Sequence, residues 1–380
     1  MSSYSSVQRP FFPRMHQGSL MSGGRKGRSR WRGWLARGLT LMAVGAVLVP
    51  GGATLGQSDK ARAKIVLEGA GATFPAPLYK KWIGVFMSEN PDIAVSYKEV
   101  GSGEGVRRFL AHSVDFGASD GALTDEQMAQ VRNGARLVPA TAGIVVLAYN
   151  LPGIGGDLRL SRDVYADIFL RRITTWSDPR IRALNPMLHL PSRSIAVAAR
   201  QDGSGTTFAL ANHLAAISPA WREGPGVGYL IDWGGRAMRA RGNEGVASLI
   251  KLGEGTIGYV EYGFAKRLGL AMAHLENKAG QYVAPGDRSG QTALASNVKQ
   301  MPDNLRLYLP DPDGVESYPI VSLSWLLLYD RYEDGEKNAA IKRFVAWGLS
   351  AGQSYAADLG YVPLPGSVVS LSRSAVEQTR

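Results

Sequence analysis

Three short segments rich in glycine, serine and threonine each stand directly before a predicted helix. They are residues 69–75 (GAGATFP), 101–105 (GSGEG) and 201–207 (QDGSGTT). A helix begins with backbone N–H groups that have no intrahelical partner and that carry partial positive charge. Glycine lets a ligand approach this backbone, while serine and threonine add hydroxyl donors. One such segment is usually only a turn, but three in one chain predict a binding site for an oxyanion.

A charged pair stands at the start of the third segment. Arg200 and Asp202 lie two residues apart where a predicted strand ends, so their side chains project to the same side. The guanidinium group can donate two parallel hydrogen bonds to a tetrahedral oxyanion while the carboxylate holds it in place. The alternative is an ordinary surface ion pair at a strand end.

A further motif is typical of a different class of protein. Residues 117–121 (GASDG) match G-x-S-x-G, the nucleophile elbow of α/β hydrolases, and His189, His213 and His274 follow in a permissible order. An elbow needs a helix that begins straight after the serine. Here a capping box that starts at Thr124 predicts the helix several residues later. We therefore expect no catalytic triad and no enzyme activity.

Alternating strands and helices must position these segments. Strands are predicted over residues 65–67, 93–100, 114–118, 144–149, 195–199, 256–260 and 320–329. Helices are predicted over residues 78–87, 106–111, 207–216, 246–252, 337–349 and 368–378. Such alternation favours the α/β class with mostly parallel sheets.

Charge and cysteine content exclude several functions. The formal net charge of the 380 residues is +11, but residues 1–63 hold ten Lys and Arg against one acidic residue. Residues 64–380 therefore keep a net charge of only +2, which argues against nucleic acid as a partner. The chain has no cysteine, so disulfides, thiolate metal sites and cysteine nucleophiles are excluded. We expect neither a metal nor a cofactor.

The N-terminal residues 1–63 are predicted to be a signal peptide and leader. Six basic residues at positions 25–37 precede an apolar run over residues 39–49, and small residues follow. This order is typical of a secretory signal, and the run is shorter than the roughly 20 residues that span a bilayer. Cleavage after Gly56 and cleavage after Ala63 both fit the pattern. The mature protein is then expected outside the cytoplasmic membrane.

Several motifs occur in an order that one protein family shares. They are GAGATFPAP at 69–77, Gly101-Ser102, VDFGASD at 114–120, Trp176-Ser177-Asp178, Leu184-Asn185-Pro186, RQDGSGTTF at 200–208, GTIGYVEY at 255–262 and the region 363–369. As a set they resemble the phosphate-binding protein of the bacterial high-affinity phosphate ABC importer, over about residues 64 to 375.

The resemblance implies a type II periplasmic-binding-protein fold, in which two hinge crossings join two α/β lobes and the ligand lies between them. Lobe 1 would comprise residues 64–142 and 318–380, and lobe 2 residues 143–317. The implied function is to bind inorganic phosphate in the periplasm and deliver it to the permease and ATPase subunits of an ABC importer. The protein would act as a monomer.

The resemblance also implies a role for individual residues. Thr73, Ser102 and the Phe74 backbone would donate to phosphate, as would the helix start formed by Ser204, Gly205 and Thr206. Asp120 would accept the proton of the bound anion, and Arg200, braced by Asp202, would donate its guanidinium fork. Glu104 departs from the family pattern and is expected to point away from the anion, because a second carboxylate there would repel it.

The residues leave three other interpretations open. One is a secreted phosphatase or esterase. Another is a binding protein for sulfate, molybdate or an organic phosphate. The third is an extracellular phosphate scavenger or adhesion protein with no transporter partner.

The leader generates a first prediction. Protein isolated from the cell envelope should lack residues 1–56 or 1–63, because the signal is removed on export. Edman sequencing or mass spectrometry of the mature N-terminus measures this, and an intact Met1 in that fraction would contradict it.

Overall fold

A computed structural model describes residues 64–235 and 237–380, so the predicted signal and leader lie outside the described residues. The strands are β1 Ile65–Gly71, β2 Ile93–Glu99, β3 Phe116–Ser119, β4 Ala135–Tyr149, β5 Arg159–Leu160, β6 Ala196–Arg200, β7 Met238–Ala240, β8 Thr256–Glu261, β9 Ala271–Met272, β10 His274–Glu276, β11 Tyr282–Val283 and β12 Val321–Tyr329.

The helices are α1 Ala76–Glu89, α2 Ser102–Leu110, α3 Asp125–Gln130, α4 Arg162–Phe169, α5 Pro179–Leu184, α6 Gly205–Ile217, α7 Pro219–Glu223, α8 Gly242–Leu252, α9 Tyr262–Leu268, α10 Asp287–Ala295, α11 Gly335–Gly348 and α12 Gly366–Glu377. Short 3-10 helices cover Val298–Gln300, Ala351–Tyr355 and Ala357–Leu359. The predicted α/β class is confirmed, and the capping box of Thr124 and Gln127 opens α3. Among the described residues, no helix combines the length and apolar character needed to cross a membrane.

The main sheet is mixed and not mostly parallel as the sequence suggested. Its strand order is β2-β1-β3-β12-β4-β8-β6-β7, with β9 also paired to β4. Strand β1 pairs in parallel with β2 and β3, and β6 pairs in parallel with β7 and β8. Between these two groups, β12 and β4 pair in antiparallel fashion with their neighbours. Two parallel groups therefore flank an antiparallel centre.

Strand β4 is long because it has two partners in succession. Its first part, up to Ile144, pairs with β12, and its second part, from Val145, pairs with β8. Because β3 and β8 run in opposite directions along β4, the carboxyl ends of the two parallel groups face each other near this change of partner. Ligands in α/β sheets bind outside the carboxyl ends of strands. The predicted hinge crossing near Gly143 falls here, and the lobe boundaries stay a prediction.

Strand β4 contains a proline, Pro139, and a β-bulge lies beside it in the centre of the sheet. Pro139 of β4 lies opposite Trp325 and Thr141 opposite Ser324, so Ala140 is the extra residue. Proline has no N–H to give to a ladder, and bulges are where sheets accommodate it. The amide of Gln353 donates to the bulged carbonyl of Ala140 at 2.9 Å. Ser324, which lies opposite Thr141 next to the bulge, is buried.

Helix α2 packs on the sheet through Gly105. A Cβ atom built there would overlap the Cα of Gly71 and lie 2.9 Å from the carbonyl oxygen of Ala118. Both neighbours are backbone, which cannot rotate away as a side chain could. Gly84, in α1, has open space around its Cα instead.

These two glycines should respond oppositely to alanine. Gly105→Ala should lower the free energy of unfolding by about 1–3 kcal/mol, the usual cost of overpacking. Gly84→Ala should raise it by roughly 0.5–1 kcal/mol, because alanine loses less backbone entropy in a helix. Urea denaturation of both variants measures the difference. Equal stability of the two variants would show that α2 does not depend on this close approach.

Candidate functional site

The three glycine-rich segments meet at the carboxyl ends of the strands. They follow β1, β2 and β6, and each opens a helix: α1, α2 or α6. The N–H of Gly103 donates to the carbonyl of Gly203 at 2.9 Å, which joins the second segment to the third. Gly205 lies so close to Asp120 and Ser102 that a Cβ atom there would overlap both side chains. The structure thus brings the predicted site residues together.

Arg200 supplies a buried cation at the end of β6. Its side chain is only 1% exposed. Its Nε and Nη2 donate to the two carboxylate oxygens of Asp202, at 2.9 and 2.5 Å, as the two-residue spacing predicted. The Tyr259 hydroxyl accepts from the Arg200 backbone at 3.1 Å. The fork is therefore held rigidly, with further N–H groups on Nη1 and Nη2 left for a ligand.

Asp202 does more than brace the arginine. Its Oδ1 also accepts from the N–H of Gly242, the first residue of α8, at 3.1 Å. Burial alone would raise the pKa of Asp202, but the hydrogen bonds and the charge of Arg200 hold it below its usual value. The carboxylate stays ionised and ties α8 to the arginine.

Asp120 follows β3 and is 1% exposed. Its Oδ1 accepts from the Ser324 hydroxyl at 2.7 Å, and its Oδ2 lies 3.5 Å from the Ser102 hydroxyl. Burial raises the pKa of Asp120 to about 7, although Ser324, the charge of Arg200 and Ser102 act in the opposite direction. A buried carboxyl group that titrates near neutral pH can accept a proton from a ligand or donate one to it.

The start of α6 carries three of the predicted site residues, Ser204, Gly205 and Thr206. The Ser204 hydroxyl oxygen accepts from Thr207 N at 3.1 Å as the N-cap, so its role is partly structural. The first intrahelical bond runs from Phe208 N to Ser204 O, so the N–H groups of Gly205 and Thr206 precede the helix ladder. Both residues are buried.

Thr73 and Phe74 lie between β1 and α1. Thr73 is 6% exposed, and its hydroxyl oxygen accepts from Asn243 Nδ2 at 3.0 Å and from Asn243 N at 3.3 Å. The Phe74 ring is buried beside the Tyr361 ring, and the Tyr361 hydroxyl donates to the Phe74 carbonyl at 2.7 Å. These contacts engage the ring and the carbonyl of Phe74, and the ligand role of its N–H stays a prediction. A cavity of about 540 Å³ reaches the site at Thr73, Gly242 and Asn243.

Two residues of the site were missed in the sequence analysis. Ser324 lies inside an apolar strand, where one serine gives no signal of its own. Asn243 stands in Gly242-Asn243-Glu244-Gly245, which is a fourth glycine-flanked helix start and could have been recognised as such.

Glu104 points away from the site, as expected. It binds Arg107 Nε at 2.6 Å and Arg108 Nε at 2.8 Å on the outer face of α2. These hydrogen bonds lower its pKa to about 2. The charge of Glu104 is therefore compensated locally.

The hydrolase motif has no triad geometry. The Ser119 hydroxyl is buried and bonds the Gly121 carbonyl and the Tyr229 hydroxyl. His213 bonds Tyr165 and the Pro310 carbonyl instead, and burial lowers its pKa to about 4. Within the two ranges that the structure describes, no cluster of His, Asp and Glu could hold a metal ion.

Comparison with known proteins identifies the family. Residues 53–351 match the model of the PBP superfamily domain. The phosphate-binding protein PstS of Haemophilus influenzae is 40% identical over 84% of this chain and 95% of its own length. PstS of Pasteurella multocida is 40% identical over 80% of this chain and 87% of its own. The chain belongs to the PstS family of phosphate-binding proteins.

A solved structure supports the fold assignment for this PstS-family chain. A high-affinity periplasmic phosphate-binding protein with bound phosphate superposes with a TM-score of 0.67, at 20% identity, over 82% of this chain and 93% of that one. The two-lobed periplasmic-binding-protein fold, which the motifs implied, is confirmed. The family is one of binding proteins, so this member is not an enzyme.

The buried Asp120 makes a prediction about pH and stability. The pKa of Asp120 is about 7 in the folded protein and 3.8 ordinarily, so between these values the folded state holds a proton that the unfolded state has released. The contribution of protonated Asp120 to the free energy of unfolding is complete below about pH 4 and is lost as the pH rises through about 7. In phosphate-free buffer, the wild type should lose more stability between pH 5 and pH 8 than Asp120→Asn does.

Urea denaturation at both pH values measures this difference. The exposed Asp303 provides a control, since Asp303→Asn should follow the wild type. If Asp120→Asn loses as much stability as the wild type, Asp120 is already ionised at pH 5.

Proposed function

We propose that this protein binds one inorganic phosphate ion outside the cytoplasmic membrane and delivers it to an ABC-type phosphate importer. One observation carries the proposal: the buried side chains of Arg200 and Asp120 lie together with the starts of three helices, α1, α2 and α6. The names of the PstS relatives and the bound phosphate in the similar structure support the choice of ligand.

The donors of the site suit a tetrahedral oxyanion. Arg200 offers its remaining guanidinium hydrogens, Thr73 and Ser102 offer hydroxyls, and the starts of α1 and α6 offer backbone N–H groups. Hydrogen bonds to a charged group contribute roughly 1.5–3 kcal/mol each, and micromolar affinity needs about 8 kcal/mol in total. Several such bonds in a water-excluded site can meet this requirement after the cost of association.

Two lobes that close on the ion would assemble these donors. We assign residues 64–142 and 318–380 to the first lobe and residues 143–317 to the second. The change of partner along β4, from β12 to β8 after Ile144, supports the first crossing near Gly143. The bonds from Gly103 to Gly203 and from Asn243 to Thr73 would then form between lobes.

The wider setting follows from the family. The signal at residues 1–63 would export the chain, and the similar structure is that of a periplasmic protein. The permease and ATPase subunits of a phosphate importer would be its protein partners. We propose that it acts as a monomer. We expect no nucleic-acid partner, because residues 64–380 are almost neutral.

Asp120 would separate phosphate from sulfate, which is a similar tetrahedral anion. Near neutral pH phosphate still carries a hydrogen, while sulfate carries none. An ionised carboxylate only accepts hydrogen bonds, so it binds protonated phosphate and repels sulfate. Selectivity then comes from a group that disfavours the wrong ligand.

Calorimetry on the mature protein tests the proposal. At pH 8 the wild type should bind one phosphate with micromolar or tighter affinity and reject sulfate. Asp120→Asn should bind sulfate, because the amide can donate, whereas Asp303→Asn should behave as the wild type. Because the pKa of Asp120 is about 7, the wild type should also reject sulfate less strongly at pH 5.

Two results would contradict these expectations. Sulfate binding by the wild type at pH 8 without phosphate binding would overturn the assigned ligand. If Asp120→Asn rejects sulfate as sharply as the wild type, another residue discriminates between the two anions.

A further inference from the structure

Asn243 is a buried polar side chain at the point where the glycine-rich segments meet. It is the second residue of α8 and is 0% exposed. Its Nδ2 lies 3.0 Å from the Thr73 hydroxyl oxygen and 3.1 Å from the Thr206 hydroxyl oxygen. One amide group thus connects two hydroxyls that come from distant parts of the sequence.

The backbone fixes which end of the amide faces these hydroxyls. Asn243 Oδ1 accepts from the N–H of Glu261 at 3.0 Å. A backbone N–H can only donate, so the oxygen of the amide must face Glu261 and the nitrogen must face the two threonines. Thr206 Oγ1 also lies nearer to Nδ2 than to Oδ1, at 3.1 against 3.4 Å.

Both hydroxyl oxygens then have their acceptor positions filled. Thr73 Oγ1 accepts from Asn243 Nδ2 and from Asn243 N, at 3.0 and 3.3 Å. Thr206 Oγ1 accepts from Asn243 Nδ2 at 3.1 Å and from Arg200 Nη1 at 3.4 Å. A hydroxyl has two lone pairs and one hydrogen. With both lone pairs engaged, each hydroxyl can only donate its hydrogen. For Thr206 the Asn243 Oδ1 is an acceptor at 3.4 Å, which is longer than a good O–H···O bond, so a closer acceptor in the site would be preferred.

We infer that Asn243 is a positioning residue for anion binding, which commits the Thr73 and Thr206 hydroxyls to donate into the site. The inference rests on the proposed function, because the partner of the two hydrogens is the phosphate ion. Without the amide, each hydroxyl could turn its hydrogen toward a neighbouring acceptor and present a lone pair to the anion. Asn243 would therefore raise affinity without touching phosphate.

The first test removes the amide. Asn243→Ala should weaken phosphate binding by about 10- to 100-fold, the range known for residues that orient the ligands of a metal ion. Asn150 offers a matched control, since its Nδ2 donates to the carbonyls of Ile250 and Lys251 at the other end of α8. Asn150→Ala should lower the melting temperature and leave phosphate affinity within about twofold of the wild type.

The second test asks whether Asn243 acts through the hydroxyls. Valine keeps the shape of threonine but has no hydroxyl. In Thr73→Val the loss caused by Asn243→Ala should shrink, and in Thr73→Val/Thr206→Val it should fall to within about twofold. A role that does not act through these hydroxyls would reduce affinity equally in every background. Circular dichroism on each variant confirms that it is folded at the temperature of calorimetry.

The outcomes separate this inference from the proposed function. If the wild type does not bind phosphate, the proposed function fails. If the wild type binds and Asn243→Ala binds equally well, the positioning role is wrong. An undiminished loss in Thr73→Val also overturns it, and this single variant decides the matter where the double valine variant binds too weakly to measure.

Discussion

The buried guanidinium of Arg200 is the interaction on which the rest of the site depends. A cation that is 1% exposed is costly unless it is paired and hydrogen-bonded. Asp202 meets this need with two hydrogen bonds and, through Gly242 N, also ties the arginine to α8. The pair leaves part of the guanidinium unused in a water-poor space. An anion is the partner that completes such an arrangement.

The architecture of the sheet explains why the site forms where it does. Each glycine-rich segment is only a turn on its own, and the turns become a site because two groups of parallel strands approach from opposite directions along β4. The bulge at Pro139–Thr141 lies at the end of one group, beside Ser324, which holds Asp120. The irregularity that accommodates a proline in a central strand therefore lies next to the serine that donates to the acceptor of the site.

Local patterns predicted the parts of this protein that local chemistry decides. The glycine-rich segments at the starts of α2 and α6, the Arg200–Asp202 pair and the capping box at Thr124 all depend on residues close in sequence, and the structure contains each of them. The two helices begin at Ser102 and Gly205, earlier than the predicted residues 106 and 207. Strand β4 was predicted only over 144–149, because its first part is defined by pairing with β12, nearly 200 residues away. The antiparallel centre of the main sheet was missed for the same reason.

The roles of Ser324 and Asn243 could not be read from periodicity. A serine inside a buried strand is ordinary until its partner is known, and that partner, Asp120, lies 204 residues away. Short helices such as α4 and α9 were also missed, since few residues define them and tertiary contacts decide whether they form. Family motifs supplied the residues proposed to contact the ligand, whereas the residues that support them required the structure.

The proton of Asp120 decides which anions the proposed site can bind. The site contains groups that can only donate, namely Arg200, the helix N–H groups and, by our inference, the hydroxyls of Thr73 and Thr206. Against them stands Asp120, whose pKa of about 7 reflects burial. In the proposed complex, the carboxyl group and the phosphate ion share one hydrogen bond, and either partner can bring its proton. An O–H···O⁻ bond of this kind is short and strong. Phosphate binding can therefore persist across neutral pH. An anion that carries no proton can form this hydrogen bond only when Asp120 itself is protonated.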